Sequence, residues 1–136
     1  MRIAAFALLG CLAGCSLTTG ASSGECQRDS QCGDDVCAHS RECLARSAVR
    51  DIVVRWTING AVADATSCAA HPNLYLQFES ADYGDTLRVT SVPCIDGVYP
   101  IAKLPKRYLQ VELGFQGTVS DVSPIETSQV QFDLFQ

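Results

Sequence analysis

This chain is poor in the residues on which most enzyme chemistry depends. Its 136 residues contain only two histidines, His39 and His71, and one tryptophan, Trp56. There is no G-x-S-x-G elbow, no H-E-x-x-H pair and no glycine-rich phosphate loop. Carboxylates are plentiful, but no spacing singles out a pair for acid-base work, so an enzyme is not expected and no cofactor or metal is called for. Basic residues are scarce as well. Ten Lys and Arg stand against fifteen Asp and Glu, a formal net charge of −5, and the absence of a basic stripe argues against nucleic acid as a partner. No apolar run approaches the roughly 20 residues of a membrane-spanning helix. Helical periodicity is also missing, apart from a turn or two in "VADATSCAAH".

Cysteine, in contrast, is abundant, with eight residues at positions 11, 15, 26, 32, 37, 43, 68 and 94. What those thiols do depends on the compartment, and the N-terminus speaks to that. "MRIAAFALLGCLAG" carries Arg2 and then an apolar run from Ile3 to Leu12, the layout of a secretory signal peptide over residues 1–14. The following Leu12-Ala13-Gly14-Cys15 resembles the lipobox of bacterial lipoproteins. That resemblance implies cleavage before Cys15 and acylation of its sulfur. A rival box ends at Cys11, but using it leaves seven later cysteines and one orphan thiol, whereas Cys15 leaves six, an even set suited to three disulfides. Two or three acyl chains, as the resemblance implies, hold a protein on a membrane where one does not. The resemblance to such lipoproteins, with Ser16 rather than Asp after the Cys, further implies sorting to the outer membrane, facing the periplasm or the cell surface. Residues 15–25, "CSLTTGASSGE", read as a flexible tether, and ten such residues span roughly 17 Å.

Residues 26–43 form a second zone. Between Cys26 and Cys43 only Val36 and Ala38 are apolar non-Cys side chains, so cross-links must do what a core cannot. The C-x5-C-x4-C-x5-C spacing fits zinc pairs poorly and contains no C-x-x-C redox pair. In an exported chain Cys26, Cys32, Cys37 and Cys43 are expected to form two disulfides. Four cysteines allow three pairings and the alternatives stay open; pairing 26 with 37 and 32 with 43 interlocks two similar loops and is preferred. Asp29, Asp34 and Asp35 lack the alternation of a calcium loop and read as a solvated acidic face. The pattern resembles small extracellular disulfide modules of the EB or four-disulfide-core kind, which implies a spacer or contact role.

From residue 49 to 136 the pattern has period two. "DIVVRWTI" puts Ile52, Val54, Trp56 and Ile58 on one side and ends at Asn59-Gly60, a turn signal. "NLYLQFES" alternates Leu74, Leu76 and Phe78 against Tyr75, Gln77 and Glu79; "YLQVELGF" alternates Leu109, Val111, Leu113 and Phe115 against Tyr108, Gln110 and Glu112. "SQVQFDLF" repeats the pattern, and shorter candidates lie at 86–92 and 97–104. The expectation is an all-β fold: a small antiparallel β-sandwich of six or seven strands, prealbumin- or Ig-like, preceded by the disulfide-rich module. Cys68 and Cys94 flank two of its strands and are expected to pair.

The stretch "CIDGVYPIAKLPKRYLQVELGFQG", with Gly97, Tyr99, Ile101, Leu104, Pro105 and Tyr108 in matching places, resembles the strand-turn-strand signature of transthyretin-like or carboxypeptidase-regulatory-like sandwiches. Lys106-Arg107 replaces the usual turn glycine. The resemblance implies a non-catalytic accessory domain, common on bacterial surface lipoproteins. The chain is therefore expected to be a lipid-anchored cell-envelope protein whose sandwich is structural or binds an envelope or extracellular protein. The alternative is a carbohydrate-binding module, for which Tyr75 and Tyr108, on the polar side of their strands, are the candidate ligand-facing aromatics. Trp56, aligned with Ile and Val, is expected in the core.

Overall fold

A computed structural model describes residues 25–115 and 120–135. The candidate signal peptide, Cys15 and the tether up to residue 24 lie outside the described residues.

The apolar half-pattern of each strand becomes one side of a sheet. β1 (Val36–Cys37) and β2 (Cys43–Leu44) form a two-stranded antiparallel ribbon within the Cys-rich module. β3 (Val49–Ile58) is followed by a reversal in which Asn59 and Gly60 take φ of 51° and 76°, the left-handed pair that a tight hairpin requires, and by the short β4 (Ala61–Val62). β5 (Asn73–Ser80), β6 (Thr86–Pro93), β7 (Val98–Pro105), β8 (Tyr108–Phe115), β9 (Ser120–Pro124) and β10 (Gln129–Leu134) complete the chain. One sheet runs β6-β5-β8-β9, antiparallel throughout. The other places β3 between β10 and β7, with β4 continuing the β7 side.

The two sheets close over one core. Ile52, Val54, Trp56 and Ile58 from β3 meet Leu74, Leu76 and Phe78 from β5, with Ile101, Val111, Leu113, Phe115, Val130, Phe132 and Leu134, all buried. Each such side chain contributes about 1.5–3 kcal/mol of hydrophobic stabilisation. Trp56 is in the core as its alternation requires, and its indole N–H donates to the Cys94 carbonyl at 2.8 Å. "VADATSCAAH" contains one turn, in which the Asp64 carboxylate accepts the N–H groups of Thr66 and Ser67 at 2.8 and 2.7 Å.

Two features depart from a regular antiparallel sandwich. First, β10 runs parallel to β3 in register Val130↔Val54 to Leu134↔Ile58. After β9 the chain crosses to the other sheet and enters beside the middle of β3, so both strands point the same way. The second is bulging. β7 carries an extra residue opposite Asp51, β6 one opposite Tyr75, and β8 one at Leu109. An extra residue reverses the alternation beyond it. In β8 the core side is therefore Tyr108, Val111, Leu113 and Phe115, while Leu109, expected inside, is 49 % exposed.

Candidate functional site

The Cys-rich module has almost no core of its own, so its covalent frame comes first. Cys26 pairs with Cys37 and Cys32 with Cys43, each across eleven positions, giving two interlocked loops; Cys68 pairs with Cys94. The sulfurs of Cys26, Cys32 and Cys37 lie within 4.8 Å of one another, close enough to suggest a metal cluster. All three are spent in disulfides, which leaves no thiolate to ligate. Cys15 lies outside the described residues.

The module does not stand apart from the sandwich. At the β7 bulge Lys103 takes φ of 54°, its N–H donates to Asp51 Oδ1 at 2.8 Å, and its carbonyl accepts the His39 N–H at 2.9 Å. Its ammonium reaches Asp29 Oδ1 at 2.6 Å. Asp29 also accepts the Cys37 N–H at 2.9 Å, and the Lys103 hydrogen bond first, then the backbone one, holds its carboxyl below the ordinary range. Asp29 is thus a docking group rather than part of a solvated acidic face, while Asp34 and Asp35 are exposed.

A second bridge forms at the turn joining β7 to β8. Arg107 pairs with Glu42 of the module and, through Nε at 2.5 Å, with Asp85 of the β5–β6 turn. Burial opposes the charge of Glu42, but hydrogen bonds from Ser40 and Arg107 outweigh it and lower its pKa. Both acids keep Arg107 charged, and its guanidinium lies 4.9 Å over the Tyr108 ring. The turn between β7 and β8 thus carries the residue that ties three segments together.

Both candidate aromatics, Tyr75 and Tyr108, are buried. Tyr108 is 1 % exposed; the β8 bulge turns its ring into the core, with its hydroxyl donating to Asp85 at 3.1 Å. Tyr75 does lie on the outer side of its sheet, but it is 7 % exposed, with Arg88 stacked 4.2 Å over its ring and its hydroxyl donating to Glu112. Gln77 and Gln110 both donate to Glu79, at 2.8 and 2.7 Å. Neither tyrosine offers an open stacking face to a sugar. His39 is exposed, and His71 is half-buried with its ring 4.6 Å from that of Phe115.

Sequence reasoning missed Arg50. Its guanidinium donates to the carbonyls of Ile125, at 3.1 Å, and Tyr108, and so bridges the two sheets where β8 bulges. Its Nε is buried without a partner. Nothing in the period-two pattern marks it, because it occupies the strand position where β3 loses register with β7.

The fold and the junction together define a small, all-β, disulfide-stapled sandwich carrying a docked Cys-rich module. No family model, curated protein or solved structure matches this chain.

Proposed function

We propose that this chain is a lipid-anchored outer-membrane protein, held by Cys15, whose module and transthyretin-like sandwich bind an envelope or extracellular protein without catalysis. The observation that carries this reading is a group of three exposed apolar side chains at the end away from the module, beyond Tyr83 and Leu109, which are exposed near the module. The anchor side of the sandwich is occupied by the module, joined through Lys103 and Arg107. The opposite end, to which β3 and β6 run, exposes Val62 at 81 %, Ile95 at 54 % and Phe135 at 68 %. Apolar side chains left in water at the end remote from a tether suit contact with another protein. The Cys68–Cys94 disulfide staples the two loops that present Val62 and Ile95.

Two measurements test the reading separately. Cys15→Ser should release the protein from the membrane to the soluble fraction, and continued membrane retention would refute the anchor. Affinity purification of the anchored form should recover a partner that is lost with Val62→Ser, Ile95→Ser and Phe135→Ser combined. Unchanged recovery would refute the contact surface. The carbohydrate-binding alternative has no open aromatic among Tyr75 and Tyr108 to support it.

A further inference from the structure

A cleft of about 410 Å³ opens where the module meets the first strand of the sandwich. Arg46, Arg50 and Lys103 line it, with Asp51 and the apolar Val36 and Val49. These three cations come from three segments: the turn Arg46–Ala48, β3 and β7. Two acids lie close by and each is hydrogen-bonded, although Asp51, bonded only to a backbone N–H, keeps its charge. Asp51 accepts the Lys103 N–H at 2.8 Å, and Asp29 takes the Lys103 ammonium at 2.6 Å together with the Cys37 N–H at 2.9 Å.

The guanidinium groups are in a different position. Among the described residues no ion pair holds either Arg46 or Arg50. Arg50 spends two donors on backbone carbonyls and keeps a buried Nε with no acceptor. Burial without a counter-charge lowers the pKa of Arg50, so a nearby anion would offset a cost the fold now bears. Arg46 shares the lining of the cleft with Lys103, and its charge adds to the effect of Lys103 on the Asp29 carboxyl. The chain as a whole has a net charge of −5, so a diffuse field cannot gather anions here and only local geometry can.

The geometry points to a phosphate-binding site in this cleft, where the cations Arg46, Arg50 and Lys103 outnumber the acids Asp51 and Asp29, the latter paired with Lys103, by one charge. A planar carboxylate is satisfied by one guanidinium fork, whereas a tetrahedral oxyanion accepts donors from several directions, as three separate segments supply them. The ligand would span module and sandwich, since Val36 lies in the module and Arg50 in β3. Phosphate chemistry has two sources: a free phosphate ester, or the phosphomonoester headgroup of a lipid beneath the module. The cleft binds it whether or not Cys15 is acylated.

Titration calorimetry on the full chain in detergent, in buffer free of phosphate and sulfate, tests this. Inorganic phosphate should bind saturably, and Arg46→Gln should weaken it about tenfold, the effect of losing one charge-assisted hydrogen bond. Lys106→Gln, an equal charge change on an exposed residue that does not line the cleft, should leave it unchanged. An unaltered urea midpoint for Arg46→Gln keeps folding out of the comparison. No saturable binding, or equal weakening by both substitutions, overturns the site. Dihexanoylphosphatidic acid separates the sources. Arg46-dependent binding of this lipid, absent with dihexanoylphosphatidylcholine, supports a headgroup; Arg46-dependent binding of inorganic phosphate alone supports a free ester.

Discussion

Removing the Cys68–Cys94 disulfide as Cys68→Ala/Cys94→Ala tests how much of the sandwich's stability resides in a constraint on its unfolded chain. The bond spans 26 positions. The loop-closure relation then gives about 3.5 kcal/mol of stabilisation, a large share of the roughly 5–15 kcal/mol typical of a domain. With a urea slope of about 1.5 kcal/mol/M, the midpoint should fall by about 2 M, and the slope should rise because the unfolded chain expands. Thermal unfolding should shift down by about 15–25 °C. Trp56 is a built-in reporter: it is the sole tryptophan, 3 % exposed, with its indole N–H on the Cys94 carbonyl at 2.8 Å. Its fluorescence therefore follows the core and the staple together. A midpoint drop below about 0.5 M with an unchanged slope would falsify the reasoning, because the loop ends would then be held together without the bond.

Three further expectations follow from the junction and the bulges. Tyr108→Ala should cost about 3–5 kcal/mol, whereas Leu109→Ala should cost under about 0.5 kcal/mol; regular alternation demands the reverse order, so chemical denaturation of the pair decides whether β8 is bulged. Arg50→Ala strands the Tyr108 and Ile125 carbonyls and should cost about 2 kcal/mol, while an effect near zero would show that water replaces the guanidinium. Asp29 has a folded pKa depressed below its ordinary 3.8, so its contribution is present above that value and is lost as pH falls through the folded pKa. Lys103→Met should raise the Asp29 midpoint toward 3.8, read from its carboxyl carbon chemical shift, and an unmoved midpoint would contradict the assigned cause.

Local patterning carried far in this chain because a strand with one buried face writes its burial into every second residue. Ile52, Val54, Trp56 and Ile58 could be assigned to the core on that basis, and all are 3 % exposed or less. The same rule misplaced Tyr108 and Leu109, since one inserted residue in β8 flips every side chain beyond it and leaves no mark on composition. Tyr75 illustrates a second limit. Its face was legible, but not the Arg88 stacked on it, which arrives from a neighbouring strand.

The sequence by itself determined the all-β class, the core side of most strands and the composition: six cysteines downstream of Cys15 and a period-two chain from residue 49 onward. These are properties of nearest neighbours and of counting. Only the tertiary structure decided the β10–β3 parallel pairing, the seating of the module on Lys103 and Arg107, and the gathering of Arg46, Arg50 and Lys103 around one cleft. The module is seated by pairs 50 or more positions apart, Lys103 with Asp29 and Arg107 with Glu42. Their partners are chosen by sheet order and by bulges, which no local pattern encodes.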